Sequence, residues 1–187
     1  MVDPIAVWHT EHRRFARLLD FLELETAVFH AGDDPDYTLM RDVIHYLRHY
    51  GDRFHHPRED VAFAKLLERD PSLAPAVDRL KQEHRVIETL GAGLLEYLED
   101  IATDVVVERR TVETAARNYL ACYREHLDTE ETLILPRAAQ LLTAEDWSAV
   151  AGAVADGPDP LFGEDVAAHY RSLREQIIRI ALTTPGG

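Results

Sequence analysis

Apolar residues recur every third or fourth position through four long stretches of the chain, and Gly, Pro and Asp interrupt them at few points. The breaks are Gly32-Asp33-Asp34-Pro35, Asp70-Pro71, Pro75 and Gly157-Pro158-Asp159-Pro160. This periodicity predicts helices over 4–30, 36–68, 72–102 and 108–142. Asp36 is placed to cap the second and Ser72 the third. Thr143-Ala144-Glu145-Asp146 reads as an N-cap with an acidic first turn, opening a short helix to about residue 155. A last helix is expected over 164–182. Val105-Val106-Val107 resembles a strand but is too short to pair. Long helices joined by short connections imply an all-α protein, an antiparallel up-down four-helix bundle with a short helical C-terminal extension. The bundle is assigned to 1–142 and the extension to 143–187. Trp147, Leu161, Tyr170 and Leu173 of that extension need burial, either on one end of the bundle or between subunits of a homo-oligomer.

Polar residues interrupt each apolar stripe. Helix 1 reads Ile5, Trp8, His12, Phe15, Leu19. Helix 2 reads Ile44, Leu47, Gly51, His55, Glu59, Ala62, Leu66. Helix 3 reads Leu73, Val77, Leu80, His84, Glu88, Gly91, Leu95, and helix 4 reads Ala115, Tyr119, Cys122, His126, Glu130, Leu133. Three His-x-x-x-Glu pairs stand out: His55/Glu59, His84/Glu88 and His126/Glu130. Residues four apart lie about 40° apart on a helix, so a nitrogen and a carboxylate oxygen can reach the same point. Unpartnered in a core, such groups cost several kcal/mol each. In an up-down bundle His12, His55, Glu59, His84, His126 and Glu130 fall within one layer roughly 12 Å thick. Mutual pairing or a metal explains that layer.

Six donors are too many for one structural zinc, which takes about four. They suit two metals bridged by carboxylates, with positions left for water or a small ligand. Nitrogen and oxygen donors without thiolate fit iron and admit manganese, cobalt or zinc. Ferritin-like di-iron proteins use Glu-x-x-His, which does not occur here. The segments present are Glu11-His12, then Phe54-His55-His56-Pro57-Arg58-Glu59-Asp60, then Gln82-Glu83-His84, then Glu125-His126-Leu127-Asp128-Thr129-Glu130-Glu131. This set resembles the haemerythrin-like (HHE cation-binding) family, and the resemblance covers residues 5–142. It implies two non-haem irons, oxo- or hydroxo-bridged, held by His12, His55, Glu59, His84, His126 and Glu130. Oxygen-carrying haemerythrins supply two histidines from the third helix at i, i+4. Here Glu88 stands in the second slot, which weighs against reversible oxygen carriage.

The expected function is binding of a small ligand (O2, NO or peroxide) at this site, for sensing or storage. The competing readings are a di-iron enzyme acting on peroxide or NO, an iron donor for repair of iron centres, and a bundle without metal. His56 aligns with His45, His49, Asp52 and Asp60, so it is expected on a polar face, solvated or behind the ligands. Pro57 is expected to kink helix 2 at the site. His30, His45, His49 and His169 are expected to be exposed, and His9 and Glu88 exposed or behind the site. Asp52, Asp128 or Glu88 is a candidate to orient a ligand histidine. Cys122 reads as a core thiol. Tyr50, Tyr119 and Tyr123 pack or border the pocket.

Charge narrows the partners. With 20 Lys+Arg against 34 Asp+Glu the net charge is −14, so phosphate backbones would be repelled and nucleic acid is not expected. A single cysteine excludes an intramolecular disulfide and CxxC redox motifs. No spanning apolar run and no signal-peptide pattern occur, so a cytoplasmic protein without a membrane partner is expected.

Overall fold

The computed structural model describes residues 3–154 and 159–183. Among them every regular element is helical and none is a strand. Helix α1 (Pro4–Ala31) starts where Asp3 accepts the Ile5 N–H at 3.1 Å and where Pro4 needs no N–H of its own. It stops at Gly32, whose φ of 98° is left-handed backbone that glycine adopts without strain.

Helix α2 (Tyr37–Tyr46) is capped by Asp36, which accepts the Leu39 N–H at 2.8 Å. It runs without a break through a π-helical segment, Leu47–His55, into α3 (His56–Arg69). Pro57 lies just past the widened turn and is suited to end it. It has no N–H, and its ring would clash with the carbonyl four residues back. The His56 N–H reaches the Gly51 carbonyl, five residues back. The same device recurs later in the chain. Helix α5 (Arg109–Thr129) passes through π-helical Glu130–Ile134 into α6 (Leu135–Leu141), whose first turn holds Pro136. There the Leu135 N–H reaches the Glu130 carbonyl.

Helix α4 (Ala74–Ala102) follows a 3-10 turn, Pro71–Leu73. The cap differs from expectation: Asp70 accepts from both the N–H and the hydroxyl of Ser72 and so caps the 3-10 turn, while α4 itself, with Leu73 at its N-cap position, has no side-chain cap. Helix α7 (Ala144–Gly152) opens on the expected acidic first turn, as a capping box between Thr143 and Asp146. Its expected end near residue 155 and the Gly157-Pro158 break lie outside the described residues. The last helix, α8 (Arg171–Thr183), starts later than the expected 164. Asp159 holds a turn ahead of it, accepting the N–H groups of Leu161 and Phe162 at 3.0 and 2.8 Å, and the Ala167 N–H bonds back to the Pro160 carbonyl at 2.9 Å, which keeps the intervening residues in a loop. A 3-10 turn, Ala168–Tyr170, then leads into α8. Val105–Val107 is loop.

Helix α5 packs on α1 and α4, and α2 packs on α1 and α4. Two apolar clusters form the core. One gathers Phe15, Tyr46, Leu47, Leu94 and Tyr123, and also buries Leu161, Tyr170 and Leu173 of the extension. The other gathers Trp8, Phe63, Val77, Leu80, Ala138 and Val150. On α1 the step from Trp8 to Phe15 passes through His12. On α5 and the segment after it the step from Tyr123 to Ile134 passes through His126 and Glu130. The polar layer is therefore enclosed by apolar packing on both sides. Among the described residues no helix is long and apolar enough to cross a membrane.

Candidate metal centre

Four helical rods bring seven buried side chains into that layer. They are His12 from α1, His55, His56 and Glu59 around the first π segment, His84 from α4, and His126 and Glu130 at the second π segment. The six residues singled out by the stripes are all present. His56 joins them, contrary to its expected place on a polar face: it is 3% exposed and stacks on His84 with ring centroids 4.3 Å apart. The π turn is the reason. It holds more residues than the ~3.6 of an α turn, so an α-helical projection across it misplaces the residues beyond.

Two groups share one carboxylate. His12, His55, Glu59 and Glu130 offer donor atoms within 4.8 Å of one another, and so do His56, Glu59, His84 and His126. Glu59 Oε1 lies 2.9 Å from His55 Nε2 and 3.2 Å from His12 Nε2, while its Oε2 lies 3.5 Å from His84 Nε2. Glu130 spans the groups too, with Oε2 3.3 Å from His126 Nε2 and 3.6 Å from His12 Nε2. The Nε2 atoms of His12 and His55 face each other at 3.0 Å.

Behind each histidine stands a carboxylate at Nδ1. Glu11 of α1 meets His55 at 2.7 Å, and Asp60 of α3 meets His84 at 3.2 Å. Glu83 of α4 meets His126 at 3.3 Å, and Glu131 meets His12 at 2.7 Å. Each rod thus orients the histidine of the next, and the fourth closes the ring on the first. Asp52 faces His56 at 3.4 Å from within the same rod. Holding Nδ1 in this way points Nε2 inward and raises its basicity. Of the orienting carboxylates expected, Asp52 lies beside a histidine of the cluster, His56, but its oxygens make no hydrogen bond. Glu88 and Asp128 are exposed and bond none of these histidines. Glu11, Asp60, Glu83 and Glu131 went unforeseen, although each adjoins a core residue in sequence.

Electrostatics follow from this wiring. Burial alone would raise Glu11, but His55, Arg58 and Tyr50 hold it down at about 2. Burial opposes a charge on His12 and His84, yet Glu131 and Glu59 raise His12 to about 10, and Asp60, Glu130 and Glu59 raise His84 to about 11. Burial and the adjacent His84 push His56 well below the ordinary imidazole value. Burial and the charge of Glu88 raise Asp52 to about 7.

The donor set fits a metal. Bonds of about 2.0–2.2 Å place two donors of one ion no more than about 4.3 Å apart, and the inward separations quoted above fall inside that limit. His56 Nε2, His84 Nε2, His126 Nε2, Glu59 Oε2 and both Glu130 oxygens are buried without a hydrogen-bond partner. Left so, each costs about 1–3 kcal/mol. A cation in their midst satisfies them together.

His9 is half-buried and takes the second of its two expected places, behind the ligands: it bonds Glu131 at 2.6 Å beside His12. Tyr50 donates to Glu11 at 2.7 Å. Tyr123 packs 5.9 Å from His56. Cys122 is half-buried, and burial with Glu83 and Glu125 raises its thiol, so it stays protonated. His45 and His169 are exposed as expected, and His49 is half-buried. A cavity of about 590 Å3 opens against α1 and α5, lined by His9, His12, Ala16, Leu127 and Glu131 among others.

An all-helical fold around a buried histidine–glutamate cluster defines a metal-binding protein of the haemerythrin kind. The family model for the hemerythrin HHE cation binding domain matches residues 3–138, and the chain belongs to that family. No curated protein matches the chain.

Proposed function

We propose that the protein holds two irons, one in each of the groups joined by Glu59, and binds a small ligand there for sensing or storage. The observation that carries this reading is the set of buried, unpartnered donors on His56, His84, His126, Glu59 and Glu130. His12, His55, Glu59 and Glu130 would hold one ion; His56, His84 and His126, with Glu59, would hold the other. Iron in this setting supplies redox change and open positions for O2, NO or peroxide. The protein's own residues do the rest. The carboxylate ring fixes the imidazoles, the apolar clusters exclude bulk water, and the cavity reaches the His12 side, where histidine donors are fewer. The antiparallel up-down bundle is part of the proposal. It is supported by one apolar cluster that joins Trp8 and Val77, near the starts of α1 and α4, to Leu66 and Ala138, near the ends of α3 and α6.

The test is metal content of the freshly purified protein, read with its visible spectrum. About two irons per chain are expected, and His126→Ala/Glu130→Ala should lose most of the metal. Unchanged stoichiometry after that double substitution would overturn the ligand assignment.

A further inference from the structure

The chain has two tryptophans, and they stand in series between the centre and the surface. Trp8 of α1 is buried, and its ring meets His55 edge to face with centroids 6.1 Å apart. Trp147 of α7 meets Trp8 in the same way at 5.3 Å, and it is half-buried, so the series ends at solvent. At these separations the rings touch. Helix α7 is fixed where it stands: Arg69 of α3 donates to Asp146 at 3.0 Å, and Asp146 closes the capping box with Thr143. Residue 147 lies beyond the residues 3–138 that match the family model, so the family match does not account for it.

The other aromatic rings at the centre suit electron transfer less well. Phe15 contacts His55 and Phe63 contacts His84, but a phenyl ring resists oxidation. Tyr123 lies 5.9 Å from His56, yet its hydroxyl is buried without a hydrogen-bond partner, so a proton lost on oxidation has no acceptor. The Tyr50 hydroxyl donates to Glu11, a carboxylate already engaged by His55 and Arg58. An indole can give up an electron before its proton, and at half-buried Trp147 the proton then leaves to water.

We propose that Trp8 and Trp147 carry electrons from the surface to the centre, so that peroxide bound inside is reduced by a phenol-class donor that stays outside. Peroxide needs two electrons and two protons to become two waters. Trp147 supplies the electrons in two successive one-electron steps, by way of Trp8 and His55. Each step releases one proton to water at the surface, and the centre takes up one from water. Each Trp147 radical then takes a hydrogen atom from a phenol. One peroxide and two phenols thus become two waters and two phenoxyl radicals. A neutral phenol is not repelled by the net charge of −14. The proposal rests on the reading of redox-active iron at the centre.

Iron is counted first, and the iron-loaded full-length protein is then treated with hydrogen peroxide without a donor. Peptide mass spectrometry should find oxygen adducts gathered on Trp147, several-fold fewer in Trp8→Phe and in metal-free protein. Freeze-quenched samples should show a tryptophanyl radical by electron paramagnetic resonance that Trp147→Phe lacks. Hydroquinone should protect Trp147. Peroxide consumption driven by hydroquinone should fall several-fold in Trp147→Phe, with iron content and nitric oxide binding as in wild type. Trp147 is half-buried and phenylalanine keeps a ring there, so this variant tests the path even if Trp8→Phe does not fold. Iron-loaded wild type whose Trp147 stays intact under peroxide overturns the path. Adducts on Trp147 as frequent in Trp8→Phe or in metal-free protein overturn it too. A protein that holds no iron overturns the reading beneath it, and the iron count shows that before peroxide is added.

Discussion

Glu11 Oε2 lies 2.7 Å from His55 Nδ1, and the same carboxylate accepts the Tyr50 hydroxyl at 2.7 Å and Arg58 at 3.0 Å. A carboxylate with three such donors is fixed in place, and it fixes the imidazole in turn. Glu11→Gln keeps the volume and loses the charge. Chelator competition should show metal affinity about 10–100-fold weaker, with the helical content retained. Glu11→Ala should in addition destabilise the fold by about 1–3 kcal/mol in thermal melts, since Arg58 and Tyr50 lose their partner. Unchanged affinity in Glu11→Gln would reduce Glu11 to a packing residue.

His56 is the residue on which sequence pattern and structure part most clearly. Placed in the group with Glu59, His84 and His126, it should matter to one of the two ions. His56→Ala is expected to remove about half of the bound metal, measured by elemental analysis. His9→Ala, which touches Glu131 but faces away from the donors, should leave the content near wild type. Full metal content in His56→Ala would return His56 to a packing role.

The layer itself was legible because burial is periodic. His12, His84 and His126 interrupt apolar stripes at α-helical spacing, and straight α-helix projects them correctly. His56 was not legible because the projection assumed about 3.6 residues per turn across Leu47–His55, where the chain is π-helical. Pro57 was read as a kink, and the structure shows a π-helical segment ending just before it. The carboxylate ring was hidden for another reason. Glu11, Asp60, Glu83 and Glu131 each serve a histidine on a different rod, and local spacing carries no information on such pairs. The start of α8 was missed because the Ala167 N–H bonds back to the Pro160 carbonyl, a loop closure that apolar spacing does not reveal.

Both π segments end at an X-Pro step, His56-Pro57 and Leu135-Pro136, and both border donors. If proline causes the widened turn, Pro57→Ala restores an N–H able to bond four residues back and tightens the turn toward α. His56 should then rotate away from His84. The expected outcome is a changed visible spectrum of the metal-loaded protein and weaker retention of one ion, with little change in melting temperature. Pro136→Ala should act in the same way through Glu130. A Pro57→Ala protein with the wild-type spectrum would mean that tertiary packing, not proline, sets the π turn.

The cavity that borders His12 makes the last prediction, on access. Ala16 lies on its wall and is only half-buried, so Ala16→Trp adds an indole to open space instead of forcing it into the core. Metal content should stay constant, while the association rates of nitric oxide and of azide with the metal-loaded protein fall several-fold in stopped-flow measurements. Arg13 and Arg124 also line this cavity, but Arg13 bonds Thr10 at 2.9 Å and Arg124 bonds Asp20 and Glu23 at 2.8 Å. The charge of Arg124 is answered by that pair, and Asp128 and Glu131 line the same cavity as Arg13, so the route should select by size and not by sign. The neutral and the anionic ligand should therefore slow in equal proportion. A fall confined to azide would mean that the arginines steer ligands after all, and unchanged rates for both would put the route elsewhere on the bundle.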